Sequence, residues 1–461
     1  MSFFKATDTN VSERSVFSLA WPIFVQTFLS ILLGYIDTLM TSRYSVIAVG
    51  GIGNANQIIS FLALAFSIIS TATTIVVSWM LGAKKDKEIN VIYTLSIYFN
   101  LFLSVFISLL ILIFHRNIIA LMNVQKTMIK PATDYMIIVG GFIFFNSLFY
   151  VYGAIFTSNG HTTIIMIISV LMNFINIIGN YCFLYGPLSF LNLGVKGVAI
   201  STVTSSIISV IISIIYFNTH ISGNISIKYL FPFPLKMLKL LLKVGLPAAG
   251  ENISYNIAQL CILRFVNTIS IVAVNTRIYA NIFTSFSFVF SIATSGAISI
   301  IVGHLVGAKR YDDAYKRVLK VLYVSFIFAV ILASINFLLS PLTFSIFTKD
   351  KSVIALGRKI MFIGIFLEMG RCINLVVIKS LRSAGDIKFP TYLGMASMWG
   401  ISVLFSYILG LKLNMGLIGI WIALAADEIV RGIIVYIRWI KKIWVQKAKI
   451  VESDEFKFEG Y

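Results

Sequence analysis

Apolar residues run through this chain in windows of twenty or more, broken at short intervals by clusters of lysine, arginine, glycine and polar residues. A bilayer core about 30 Å thick takes roughly twenty helical residues to cross. Windows of that length predict twelve spans, at 16–40, 46–80, 91–114, 132–158, 162–186, 194–217, 240–266, 270–306, 318–340, 353–381, 389–411 and 416–440. Segments this long satisfy their backbone groups inside lipid only as helices, and the alternation of a barrel strand is missing. The expected class is an all-α membrane protein. The first apolar stretch contains Pro22 and Asp37 and lacks a cleavage pattern, so it reads as a retained span rather than a signal peptide.

The pattern also repeats. A shift of 225 residues lays 22–84 over 247–309 without a gap, so that Pro22, Ala55, Gly82 and Lys84 meet Pro247, Ala280, Gly307 and Lys309. The same shift carries Gly160 onto Gly385, and after a three-residue contraction Gly194 and Gly197 fall on Gly416 and Gly419. This predicts two six-helix lobes, 1–217 and 244–461, the second ending in a cytoplasmic tail, joined by a cytoplasmic linker at 218–243. Six spans per copy is an even number, so both copies start from the same side, as parallel repeats around an axis along the membrane normal. Within the linker, Lys236, Lys239 and Lys243 stand beside leucines at helical spacing, which suits either an interfacial helix or the plain start of span seven.

Composition agrees with lipid as the solvent: charged residues are 12% of 461 and the mean hydropathy is +0.93. The net charge of +19 would suit nucleic acid, but the basic residues cluster between apolar segments instead of along one polar face. They concentrate at Lys84 to Lys87, Lys228 to Lys243, Lys309 to Lys320 and Lys441 to Lys449, which places both termini in the cytoplasm of a multi-pass protein of the cell membrane. Cys182, Cys261 and Cys372 lie singly in apolar segments, and His115, His161, His220 and His304 are scattered, so neither disulfides nor a metal centre is expected. Phosphate loops, catalytic triads and metal motifs are missing too, which argues against an enzyme and against direct use of ATP.

An ionisable side chain in the middle of a span is costly and marks a functional candidate. Asp37 is the clearest, with no basic residue at i±3 or i±4. Asn176 and Asn180 share one face of span five, and Thr202 of span six reaches a similar depth. Together they would make either a set of hard oxygen ligands for a small cation or a cage that tunes a proton-carrying Asp37; a structural hydrogen-bond network is the plain alternative. The second copy has Ile262 opposite Asp37, but it carries Glu251, Glu368 and Arg371, with Arg371 placed to bridge the two acids. Asp427, Glu428 and Arg431 read as another ion-paired group. Pro22 and Pro247 each free a carbonyl early in their span and are candidate hinges.

At these residues the chain resembles the multidrug and toxic compound extrusion (MATE) family. The likeness rests on Pro22 and Asp37-Thr38, "SWMLGAKKDKE", "GLPAAGEN", "LRSAGDIKFP" and "LNMGLIGIWIA", taken in this order on a 6+6 duplication. It implies a V-shaped exporter that exchanges small organic, often cationic compounds for inward Na⁺ or H⁺. An Asp of span one would act with an Asn and an Asp of span five, positions that fall on Asp37, Asn176 and Asn180. The second acid is an asparagine here, which leaves one titratable group where the family has two. The reading is a secondary active antiporter that works as a monomer in the lipid bilayer, without cofactor or nucleic acid, its coupling-ion site at Asp37, Asn176, Asn180 and Thr202. Two alternatives stand beside it. One is an exporter of an anionic metabolite such as a flavin, favoured if Arg371, Arg264 or Arg277 line the cavity; the other is a lipid-linked precursor flippase, which typically has more than twelve helices.

Overall fold

The structure, a computed structural model, describes residues 11–449 apart from residue 123, and of residue 286 the backbone alone. Residues 450–461, the end of the expected tail, lie outside the described residues. The described chain is helical, without strands. Its long helices are α1 (Val16–Tyr44), α2 (Val46–Gly82), α3 (Asp86–Leu121), the bent pair α4 (Lys126–Tyr135) and α5 (Ile143–Ser158), α6 (Thr162–Leu184) and α7 (Val195–His220). The second half follows with α8 (Leu235–Ile269), α9 (Ile271–Gly307), α10 (Tyr311–Phe347), α11 (Lys351–Ser383), the segmented α12 (Lys388–Ser397) and α13 (Leu404–Tyr407), and α14 (Gly416–Ile440).

Nine of the described helices are long and apolar enough to cross a membrane, ten when the bent pair counts as one span. The other two expected spans are α8 and α14. Both have the length, but Glu251, Asn252 and Gln259 interrupt the first, and Asp427, Glu428 and Arg431 the second. The outward faces are apolar: on α3, Phe102, Phe106, Leu109 and Ile113 form a stripe exposed by half or more. Water would penalise such a stripe, whereas acyl chains match it.

The duplication appears in the backbone itself. Ser45 and Ser270, 225 positions apart, are both extended N-caps whose hydroxyls accept from Ala48 N at 3.2 Å and Ala273 N at 3.1 Å. Each starts a helix of 37 residues that ends before a left-handed lysine, Lys84 at φ 57° and Lys309 at φ 61°. Gly160 and Gly385 share positive φ at 76° and 87°, as do Gly194 and Gly416 at 50° and 60°.

The copies diverge where one chain must bend. The first breaks between α4 and α5 by 49°, after a π-turn at Met136–Gly140. Gly140 and Gly141 leave room there for Ile111 and Leu112 of α3, and Ser108 donates 2.5 Å to the carbonyl of Gly141. The corresponding α11 lacks the glycine pair and runs unbroken for 33 residues.

Contacts divide the chain into two compact units, Val25–Gly245 and Ser12–Phe24 with Leu246 onward. The division therefore departs from the expected limits of 217 and 244 and cuts through α1 and α8. The linker is held in the first unit: Asn224 N donates to Asn90 Oδ1 at 2.9 Å, Gly223 packs on Tyr93, and Gly245 lies against the carbonyl of Ile68. Lys236, Lys239 and Lys243 belong to α8, which runs unbroken from Leu235. The start of the chain belongs with the second unit because Arg317 of α10 donates to the carbonyls of Ser12 and Arg14. Each unit has its own core, one around Phe66, Ile111, Tyr135 and Ala199, the other around Ile262, Phe344, Ile360 and Ile420.

Candidate functional site

In the first unit, the expected cluster comes together from three helices. Asn180, fully buried on α6, donates to the carboxylate of Asp37 on α1 and, at 3.4 Å, to Asn176 Oδ1 one turn away. Asn176 in turn donates 3.1 Å to Thr202 Oγ1 on α7. Gly179 makes this possible, since a Cβ there would fall 2.6 Å from Ser201 Oγ and push α6 off α7. Two further bonds hold α1 to α6, Tyr185 Oη to the carbonyl of Met40 at 2.7 Å and Gln26 Nε2 to Ser169 Oγ at 2.9 Å. Sequence reasoning missed Tyr135, a buried residue of α4 whose hydroxyl lies near Thr202 and Asn56. Its signal was a lone hydroxyl in an apolar segment, too common to single out.

The charges in this cluster are unbalanced. Asp37 forms no ion pair among the described residues, and the Oδ1 of Asn180 is buried without a hydrogen-bond partner. An unpaired carboxylate and an orphan carbonyl oxygen side by side in a membrane span are what a small hard cation or a proton would satisfy.

The second unit holds a cavity of about 530 Å³ between α8, α9, α11, α14 and the π-turn Met398–Val403. Its acids are paired, though not as the sequence suggested. Arg371 does not bridge Glu251 and Glu368. It bonds Glu368 at 2.5 Å and lies 3.8 Å from Glu428 of α14, while Glu251 pairs with Arg382. The reason is distance along α11: Arg382 stands eleven residues beyond Arg371, roughly 16 Å at 1.5 Å per residue, and Glu251 faces that end. Gly394 gives Glu251 its space, since a Cβ there would lie 3.1 Å from the carboxyl.

The expected group on α14 is present, with Arg431 3.3 Å from Asp427 and 3.0 Å from Glu428. Gly370 lets α11 and α14 approach closely enough for this, its missing Cβ being 2.6 Å from the Glu428 backbone. Of the arginines weighed for an anionic cargo, Arg371 and Arg277 line the cavity and Arg264 does not. The "LRSAGDIKFP" motif has a structural role as well: Asp386 takes Arg438 at 2.5 and 3.2 Å while the ring of Phe389 stacks on the same guanidinium.

Comparison with known proteins gives a family and a fold. The MatE family model matches residues 22–182 and 247–408, two stretches that begin 225 residues apart. The uncharacterized transporter YisQ of Bacillus subtilis strain 168 is 37% identical over 434 residues, 94% of this chain and 95% of its own length. The probable multidrug resistance protein NorM of Thermotoga maritima is 25% identical over 449 residues, 96% of this chain and 95% of its own. Among solved structures, an outward-facing multidrug resistance MATE family transporter of the MOP superfamily superposes with a TM-score of 0.86 at 17% identity, covering 97% of this chain and 99% of that one. A MOP superfamily transporter from Pyrococcus furiosus, described by the reverse polarity of its binding pocket, gives 0.85 at 16% identity over 97% and 99%. At those identities the likeness is one of fold.

Proposed function

The chain belongs to the multidrug and toxic compound extrusion family of multi-pass membrane transporters, and on that premise we propose that it is a secondary active exporter of small organic compounds driven by an inward gradient of Na⁺ or H⁺. The observation that carries this reading is the unpaired Asp37 beside the orphan Oδ1 of Asn180. A bare carboxylate at the centre of a span costs about 2.5–3.5 kcal/mol on insertion scales, and taking up a cation or a proton removes that cost. Loaded and unloaded, the cluster therefore presents α1 with two different charge states. That difference is what can bias a two-state transporter, because an ion shifts an equilibrium only by binding one state better.

For Na⁺ the oxygens at hand are the Asp37 carboxylate, the side-chain carbonyls of Asn176 and Asn180, and Thr202 Oγ1. For H⁺, Asp37 alone suffices. Pro22 and Pro247 support the movable element: the chain passes between its two units at Phe24–Val25 and at Gly245–Leu246, within a turn of each proline. In this reading α8 and α14 also cross the bilayer, completing twelve spans, and the basic loops hold both termini in the cytoplasm of the cell-membrane protein.

The test is transport in reconstituted vesicles with Na⁺ and H⁺ gradients imposed separately. Asp37→Asn keeps a polar partner for Asn180 but removes the charge, and should abolish gradient-driven export while the protein still purifies as a folded species. Full gradient-driven activity in that variant would remove Asp37 from the coupling role.

A further inference from the structure

The cavity of the second unit has more cations than it can pair. Every carboxylate that lines it has an arginine: Glu251 has Arg382, Glu428 has Arg371 and Arg431, and Asp427 has Arg431, while Glu368 beside the cavity is paired with Arg371. Among the described residues, two of the five cations that line it have no carboxylate. Arg277 on α9 is held only by Gln259 Oε1 at 3.3 Å, and its Nη1 is buried without a partner. The ammonium of Lys379 on α11 makes no hydrogen bond or ion pair among the described residues, and its charged neighbour is Arg382, a like charge already neutralised by Glu251.

We propose that this cavity is the cargo site and that it takes an aromatic organic anion, a carboxylate, sulfonate or phosphate ester, in place of the cationic compounds the family resemblance alone implied. A cationic ligand would find each carboxylate already held and would have to break an ion pair to be bound, leaving a buried arginine unpaired. An anion meets Arg277 and Lys379 as they stand and relieves two unpaired charges inside a membrane span. Tyr255, Phe288 and Trp421 supply flat apolar wall, with Phe288 already stacked under Arg371 at 5.4 Å. About 530 Å³ is a volume for a drug-sized molecule.

Lys379 stands one turn before Arg382 on α11, and Arg277 of α9 is held by Gln259 of α8, so the two cations reach the one cavity from different helices.

The class of cargo deepens the export reading and rests on it, but binding can be measured without any gradient, so the two fail separately. The purified full-length protein in detergent is titrated calorimetrically with 2-naphthoate, 2-naphthalenesulfonate and 2-naphthyl phosphate, and with 2-naphthylmethylammonium as the cation of matched shape. At least one anion should bind about tenfold more tightly than the ammonium, the scale of one charge-assisted bond. Arg277→Gln and Lys379→Gln should each weaken that anion about tenfold, with Arg277→Lys in between, while thermal melting shows all three variants folded. Binding of no anion in the set, tighter binding of the ammonium, or anion affinity unmoved in both glutamine variants overturns the proposal. Anion binding retained in Asp37→Asn together with lost transport would separate cargo recognition from coupling.

Discussion

Replacing Asn180 by aspartate tests the coupling cluster by adding one charge where the geometry is tightest. The Asn180 amide is in hydrogen-bond contact with the Asp37 carboxylate and is fully buried, so the new carboxylate would stand within about 4 Å of the old one. Two unit charges at that distance interact by about 4 kcal/mol at an effective dielectric of 20, or about three tenfold steps in an equilibrium constant. The variant relieves this repulsion by holding a cation or a proton between the two acids. If Na⁺ is the coupling ion, its affinity should rise at least tenfold, a threshold that discounts most of the Coulomb figure for relaxation. If H⁺ is, the pH at which the cluster takes up its proton should move upward. Both appear in one measurement, thermal melting of the purified protein across Na⁺ concentration and pH, because a ligand that binds only the folded state stabilises it by mass action. The wild type should show a weak dependence and Asn180→Asp a steep one, on Na⁺ or on pH. A melting temperature independent of both in the variant would refute the site.

Two further substitutions test the second unit. Gly370→Ala would place a Cβ 2.6 Å from the backbone of Glu428 and force α11 and α14 apart by about 1 Å to reach ordinary contact; a loss of about 1–3 kcal/mol is expected, read as a lower melting temperature, and an unchanged one would refute the close crossing. Arg382→Gln leaves Glu251 buried and unpaired, which should cost about 3–5 kcal/mol, whereas the double variant Glu251→Gln/Arg382→Gln should recover much of it in the same assay. A double variant as unstable as the single one would mean the pair is not what holds these helices.

How much of this was legible in the sequence depends on whether a signal is local. The repeat paired Gly160 with Gly385 directly, whereas the caps at Ser45 and Ser270, equally local and set by one residue each, were not singled out. The Asp37 cluster was legible because depth along a span can be counted and because Asn176 and Asn180 share a helix face by spacing. Depth says nothing of azimuth, however. Glu251 and Glu368 were assigned to one arginine because depth counted along their spans put both in the same half of the membrane, yet Glu251 faces Arg382 and Arg371 turns toward α14. Nor did hydropathy show that the linker would dock on α3, since Asn90, Tyr93 and Thr94 look like ordinary span residues until Gly223, Asn224 and Ser226 lie on them. The bend at Gly140 and Gly141 was missed because span counting assumes straight helices.

Ile262 occupies in the second copy the place Asp37 holds in the first, and it is completely buried in that unit's core. A duplication of this kind gives an organism two instances of one tested scaffold, and the instances need not keep the same contents. Here the shared inheritance is the punctuation, caps and left-handed turns at matching intervals, while the interiors have been rewritten independently, one around a single acid and the other around a ladder of arginines. Exchanging interiors between the halves is therefore a better route to altered cargo or altered fuel than changing the scaffold, because each half already shows that the frame tolerates different contents.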